Sequence, residues 1–243
     1  MELKSDLLIL SYKDLLFSYD PLVTILNNNK NTFAKLFGVP FDFTSTYRSG
    51  SRFAPNAIRE SFMNIELFSP NFGIDLEELS FQDLGNLNRT ANIDNMQNNV
   101  EKVASEIISE NYSVGILGGE HSLSYGAFKS LPPDVGIIII DAHFDLRDNY
   151  EDLTMSHATY LRRYIEKFGC NHIIHLGGRA GAKEEWDYIK NYDLTVITDQ
   201  TIKLGDSYLI LKDYLKDFSK IYVSVDMDVL DPSFAPGVGN PEP

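Results

Sequence analysis

The fold is decided by the stretch Ile137-Ile138-Ile139-Ile140-Asp141-Ala142-His143-Phe144-Asp145, which joins an apolar run to alternating carboxylates and an imidazole. A continuous isoleucine run predicts a strand that is buried on both faces, as in a parallel sheet. Successive side chains of an extended chain alternate between faces, so Asp141, His143 and Asp145 are expected to point the same way. Open α/β sheets bind ligands beyond the carboxyl ends of their strands. The stretch therefore predicts an α/β fold with a polar site at this strand end.

Two other apolar runs end in the same manner. Residues 221–225 precede Asp226-Met227-Asp228, and residues 114–117 precede Gly118-Gly119-Glu120-His121-Ser122, where a strand is expected to turn into a helix. Because the carboxyl ends of parallel strands share one edge of a sheet, the three polar segments are expected to meet. Together they offer six candidate metal ligands: His121, Asp141, His143, Asp145, Asp226 and Asp228.

Helical and extended patterns alternate along the chain. Apolar residues recur at helical spacing from Ile93 to Ile108, which predicts an amphipathic helix ahead of the strand at 114–117. Apolar runs at 173–176 and 194–197 alternate with helical stretches at 183–190 and 207–216. This alternation indicates a mostly parallel sheet. The polar run at 27–31 is expected to be a loop.

Four carboxylates packed against two imidazoles require positive charge. Two carboxylates about 4 Å apart repel by roughly 4 kcal/mol at an effective dielectric constant near 20. Mixed imidazole and carboxylate ligands suit Mn²⁺, Fe²⁺, Co²⁺ or Zn²⁺, whereas Ca²⁺ and Mg²⁺ prefer oxygen alone. Six ligands suffice for two ions that share bridging carboxylates. With a bridging hydroxide the net charge would be about −1, which favours a cationic substrate.

Three segments resemble the signatures of the ureohydrolase family, which includes arginase, agmatinase and formimidoylglutamase. They are residues 118–122, 141–145 and 224–232. Residues 47–59 and 236–243 are also similar to segments of the family, and the resemblance extends from about Phe33 to Pro243.

The resemblance implies a three-layer α/β/α fold with a mostly parallel sheet, a centre of two Mn²⁺ ions, and hydrolysis of a guanidino group to urea and an amine. The family's ligand positions fall on the six candidate ligands already named, and its active-site histidine falls on His157. The family forms trimers or hexamers, so the resemblance also implies a homo-oligomer.

The expected mechanism is metal-ion catalysis, in which two cations lower the pKa of a bridging water from 15.7 toward neutrality and hydroxide adds to the guanidino carbon. Asp145 is expected to ligate the metal and orient this nucleophile. His157 is expected to pass a proton to the departing amine, a role that suits an imidazole titrating near neutral pH.

The loop from Arg147 to Ser156 is expected to discriminate between substrates. Arginases carry a Ser-Gly-Asn-x-His pattern there, and this chain lacks it. Asp148, Glu151 and Asp152 would repel a substrate carboxylate, which favours agmatine, although such a loop can equally be a solvated turn. The alternatives are guanidinobutyrase, formimidoylglutamase, arginase and a catalytically inactive family member.

Residues 1–243 are expected to form a single ureohydrolase domain that lacks the family's C-terminal portion. The family continues past the Pro-Glu-Pro segment with a glycine-rich turn, a glutamate that binds the guanidinium, and C-terminal helices. Glu242 does not match that glutamate. Truncation is the favoured explanation, because all six ligands are retained, and an inactive regulatory subunit is the alternative.

Composition limits the partners. A net charge of −14 disfavours binding to nucleic acid or to an anionic membrane. A single cysteine, Cys170, excludes an internal disulfide framework, and neither a signal peptide nor a membrane-spanning apolar stretch is expected from the sequence. The protein is expected to be cytoplasmic, with a small guanidino compound as its substrate.

Overall fold

The computed structural model of the chain describes residues 11–17, 32–75, 77 and 81–243. The polar run at 27–31, predicted to be a loop, lies outside the described residues.

Ten strands are described in three sheets. They are β1 (Leu16–Phe17), β2 (Ala34–Gly38), β3 (Phe68–Ser69), β4 (Ile74–Asp75), β5 (Phe81–Leu87), β6 (Ser113–Leu117), β7 (Val135–Ile140), β8 (Ile173–Gly178), β9 (Thr195–Thr198) and β10 (Lys220–Val225). The first sheet has the order β1-β5-β2-β6 and the second has the order β10-β7-β8-β9, while β3 pairs with β4. All pairs are parallel except β1 with β5 and β3 with β4.

Strand β7 is central to the second sheet, as its isoleucine run predicts. It pairs in parallel with β10 on one side and with β8 on the other, with Ile137 opposite Tyr222 and Ile173. Ile137 and Ile139 are fully buried. A strand that is covered by helices on both faces has no solvent-facing side, which explains why its residues are apolar without alternation.

Seven α-helices are described. They are α1 (Ala54–Phe62), α2 (Ile93–Ser109), α3 (Leu123–Lys129), α4 (Tyr160–Phe168), α5 (Lys183–Tyr192), α6 (Asp199–Lys203) and α7 (Ser207–Leu215). The helices predicted at 93–108, 183–190 and 207–216 are confirmed by α2, α5 and α7. The side chain of Asn92 caps α2 by accepting from the backbone N–H of Asn95.

The predicted amphipathic face of α2 packs into the main core. Met96, Val100, Val103 and Ile107 are buried there with Phe128 of α3. The helices flank mostly parallel sheets, so the expected three-layer α/β/α fold is confirmed. In the ranges given above, no helix combines the length and apolar character needed to cross a membrane.

The two large sheets meet at the carboxyl ends of β6 and β10. Each of these strands is an edge strand in the described part of the chain. Their ends lie close together: Nε2 of His121, which follows β6, is 3.0 Å from Oγ of Ser224 in β10. The structure therefore has two four-stranded sheets where one sheet was expected, and the carboxyl ends of their edge strands β6 and β10 lie side by side.

Candidate metal centre

The structure brings together all six predicted ligands beyond three strand ends. His121 lies between β6 and α3, Asp141 follows β7 directly, and Asp226 follows β10 directly. Asp228 lies in a 3₁₀ helix at Met227–Val229, which the Asp226 carboxylate caps by accepting from the backbone N–H of Asp228 at 3.0 Å. This turn places both aspartates of the Asp-x-Asp pair at the same strand end.

The first group of ligands surrounds the His121 ring. Its Nδ1 atom is 2.8 Å from Oδ2 of Asp141, 3.4 Å from Oδ2 of Asp145 and 3.4 Å from Oδ2 of Asp226. The His121 and Asp145 side chains are less than a tenth exposed, and that of Asp226 is 30% exposed. The group is therefore buried, with one ligand open toward solvent.

The second group surrounds the His143 ring. Its Nδ1 atom is 3.0 Å from Oδ2 of Asp228 and 3.8 Å from Oδ1 of Asp141. Asp141 thus presents one carboxylate oxygen to each histidine. Two clusters that share a carboxylate have the arrangement expected for a pair of bridged cations. The ligand atoms of His121, Asp141 and Asp226 lie within 4.8 Å of one another, as do those of Asp141, His143 and Asp228.

The donor set fits a metal ion, as the Nδ1 atom of His121 shows. This atom is buried and makes no hydrogen bond to the described residues, although three carboxylate oxygens lie within 3.4 Å. A buried polar atom without a partner is costly, and a nitrogen that faces several carboxylates without hydrogen-bond geometry matches a metal ligand.

Electrostatics also indicate that the cluster requires cations. Burial and the charge of Asp226 hold the pKa of Asp141 well above its usual range. Burial alone would lower the pKa of His143, but its hydrogen bond to Asp228 and the surrounding carboxylates raise it to about 10. The protein by itself therefore favours bound protons at these sites, and a divalent cation would supply the same positive charge.

Asp141, His143 and Asp145 converge, but regular strand alternation is not the reason. Strand β7 ends at Ile140, and Asp145 has a left-handed backbone with φ of 53°. Between them Phe144 is fully buried and its ring packs 4.6 Å from that of Trp186, centroid to centroid. The buried phenylalanine anchors the loop, and the left-handed turn directs the Asp145 carboxylate to His121.

His157 lies at the end of a buried relay that sequence analysis missed. The Thr44 hydroxyl is 3.3 Å from Nδ1 of His157 and accepts from the backbone N–H of His157 at 2.9 Å. Thr44 also binds the Glu120 carboxylate, donating from its hydroxyl at 2.6 Å and from its backbone N–H at 2.7 Å. The sequence shows Glu120 beside His121 in the same motif, but no sequence pattern links Glu120 to Thr44, which lies 76 residues earlier.

Further residues contact the outer nitrogens of the two histidines among the candidate ligands. Nε2 of His121 lies 3.1 Å from the hydroxyl of Tyr160, in addition to its contact with Ser224. Nε2 of His143 lies 3.4 Å from Oε1 of Glu242. Such partners orient metal-binding imidazoles. Sequence analysis missed these contacts, because each partner is far from its histidine along the chain.

Charged residues of the loop from Arg147 to Ser156 form ion pairs with other residues of the protein. Asp148 forms ion pairs with Arg163 at 2.5 Å and with Arg162 at 3.4 Å, and the Arg163 hydrogen bond lowers the pKa of the Asp148 carboxyl. Arg147 lies 3.8 Å from the Glu185 carboxylate and stacks over the Tyr150 ring. Asp148 is therefore compensated by basic side chains, which leaves the solvated Glu151 and Asp152 as the acidic groups of the loop.

Comparison with known proteins agrees with this geometry. The model of the arginase family matches residues 33–243. The chain belongs to the arginase family. Among solved structures, the agmatine ureohydrolase of Thermoplasma volcanium superposes on this arginase-family chain with a TM-score of 0.86 and 34% sequence identity, covering 93% of this chain and 78% of that one.

Curated members of the arginase family give the same result. An agmatinase of Halalkalibacterium halodurans is 34% identical over 89% of this chain and 75% of its own length. An N(1)-aminopropylagmatine ureohydrolase of Thermococcus kodakarensis is 35% identical over 85% of this chain and 71% of its own length. This arginase-family protein is therefore an agmatinase-like ureohydrolase, a hydrolase of guanidino or amidine C–N bonds.

Proposed function

We propose that the protein hydrolyses agmatine to putrescine and urea with two bound Mn²⁺ ions. The observation that supports it most is the pair of histidine–carboxylate groups that share Asp141. His121, Asp145 and Asp226 would complete one ion's ligands, and His143 and Asp228 would complete those of the other. Nitrogen and oxygen donors without thiolate suit Mn²⁺.

When bound, two divalent cations lower the pKa of a water toward neutrality and polarise the group it attacks. The protein's own contribution is positioning. Asp145 lies within the cluster, where its carboxylate would hold the attacking water in line with the guanidino carbon. His157 is half-buried beside Thr44 and would transfer a proton to the departing amine.

The ion pairs of Arg147, Arg162 and Arg163 support agmatine over substrates that carry a carboxylate. A substrate carboxylate needs a positively charged side chain that can bind it. The three arginines in and after the loop from Arg147 to Ser156 already face Asp148 or Glu185. The exposed Glu151 and Asp152 would instead attract the ammonium group of agmatine. The names of the agmatinase relatives agree with this choice.

The proposal also covers the location of the protein in the cell and its oligomeric state. We place the enzyme in the cytoplasm as a trimer or hexamer of a single ureohydrolase domain, with the guanidino compound as its partner. The net charge of −14 supports the absence of nucleic acid and anionic membranes from its partners.

Urea release from agmatine, arginine and guanidinobutyrate, measured with added Mn²⁺, tests the proposed function. We expect agmatine to give the highest kcat/KM. A preference for arginine or guanidinobutyrate would overturn the choice of substrate, and no urea from any of the three would favour the catalytically inactive member. The variant His121→Ala is the negative control, because it removes a ligand at the centre of the first group.

A further inference from the structure

We infer that Thr44 is a positioning residue that fixes the proton of His157 on Nδ1, so that Nε2 is the nitrogen that exchanges protons. The effect of this proton position on catalysis rests on the proposed function. The hydrogen-bond assignment itself depends only on the contacts around the Thr44 hydroxyl.

The Glu120 carboxylate determines the direction of these hydrogen bonds. Glu120 is 5% exposed and accepts from the hydroxyl of Thr44 at 2.6 Å, from the hydroxyl of Ser122 at 2.5 Å and from the backbone N–H of Thr44 at 2.7 Å. An ionised carboxylate can only accept hydrogen bonds. The single hydroxyl proton of Thr44 is therefore directed to Glu120.

The remaining capacity of the Thr44 oxygen belongs to His157. A hydroxyl has one proton to donate and two lone pairs that accept. One lone pair receives the backbone N–H of His157 at 2.9 Å, and the other faces Nδ1 of the same residue at 3.3 Å. Because Thr44 has no second proton, Nδ1 must be the donor, and in the neutral ring the proton lies there.

This assignment leaves Nε2 as the basic nitrogen of His157. Within the described ranges, Nε2 has no hydrogen-bond partner, and the Tyr150 ring packs edge-on against the imidazole with centroids 5.8 Å apart. A neutral imidazole with its proton on Nδ1 accepts a proton at Nε2 and can return it to a leaving group. Thr44 would thus select the tautomer that catalysis requires.

The relay also fixes the position of His157 relative to the metal centre. Glu120 precedes His121 in the chain, and its backbone N–H donates to the carbonyl of Phe41 at 2.8 Å. The segment that contains Thr44 and the segment that contains His121 are therefore tied together twice, through side chain and through backbone. Proton transfer depends on such placement, since small displacements of a catalytic group cost rate.

Two substitutions at Thr44 separate the hydroxyl from the shape of the side chain. Thr44→Val keeps the shape and removes the hydroxyl, whereas Thr44→Ser keeps the hydroxyl. We expect Thr44→Val to lower kcat for agmatine by about tenfold or more with KM within twofold, because acid–base catalysis supplies roughly 10²–10⁴-fold. Thr44→Ser should retain most of the wild-type kcat.

The tautomer can be observed without turnover. Selective ¹⁵N-histidine labelling of the Zn²⁺-loaded protein, which is diamagnetic, reports which nitrogen carries the proton, and loss of a signal in His157→Asn assigns it. We expect Nδ1–H in the wild type and a shift toward Nε2–H in Thr44→Val. A wild-type His157 protonated on Nε2 would overturn the inference, as would equal kcat losses in both Thr44 variants. Absence of urea release from wild type, with Nδ1–H observed, would overturn the proposed function alone.

Discussion

At the scale of single residues, the three histidines outside the candidate ligands differ in the contacts of their ring nitrogens. His175 is fully buried and its Nε2 lies 2.7 Å from the carbonyl of His143, and burial lowers its pKa to about 4. It is therefore neutral at physiological pH and supports the backbone of a candidate ligand. His172 contacts the Tyr164 hydroxyl at 3.0 Å, away from the candidate ligands. His157 differs from both, because its Nδ1 atom faces the Thr44 hydroxyl, which donates to the carboxylate of Glu120, the neighbour of the candidate ligand His121.

The variant His157→Asn separates proton transfer from metal binding. The hydrogen bonds of His157 are made to Thr44 and not to the predicted ligands, so we expect both metal ions to remain while kcat falls by about 10²-fold or more. Metal content by mass spectrometry and urea release give the two readouts. As the matched comparison, Asp228→Ala should lose metal and activity together, because it removes the carboxylate 3.0 Å from His143. Two metals per chain in Asp228→Ala would contradict the ligand assignment.

At the scale of elements, the turn between β6 and α3 depends on Gly119. A Cβ atom there would lie 2.0 Å from the carbonyl oxygen of Phe41 and 2.9 Å from its nitrogen. Backbone atoms cannot move aside as a flexible side chain can. The close approach brings the segment of Thr44 against the segment of Glu120 and His121, so the glycine serves the site as well as the fold.

We expect Gly119→Ala to lower the free energy of unfolding by about 2 kcal/mol or more, since the added methyl group overlaps backbone. Chemical denaturation followed by circular dichroism measures the loss. Gly237→Ala is the matched control, because its Cβ would meet nothing within 4 Å. Equal stability of the two variants would show that the turn adjusts without cost, contrary to the close approach described here.

At the scale of the whole molecule, the candidate metal centre lies where the two large sheets meet. Its candidate ligands follow β6 of one sheet and β7 and β10 of the other, and the carboxylates repel one another without cations. Ions bound there would therefore stabilise the contact between the sheets as well as the site.

Removal of metal by a chelator should lower the melting temperature. A site filled at 100 times its Kd stabilises the fold by about 2.7 kcal/mol, which corresponds to about 5–10 °C for a chain of this size. The stabilisation should decrease as pH falls, because the cation must displace a proton from His143, whose pKa is raised to about 10. Thermal scans at several Mn²⁺ concentrations measure both effects. His121→Ala should show little of this stabilisation, and a melting temperature that ignores Mn²⁺ would contradict the prediction.

The sequence by itself determined the strand ends and the six candidate ligands, because apolar runs and polar tips such as those around Ile139 and Asp226 are local signals. Only the tertiary structure decided how these groups are divided: Asp141 lies between His121 and His143, and Asp145 reaches His121 through a left-handed turn. It also decided that Thr44 orients His157 and that Asp148 binds arginines. Contacts between residues far apart in the chain depend on packing and hydrogen-bond geometry, which no local pattern encodes.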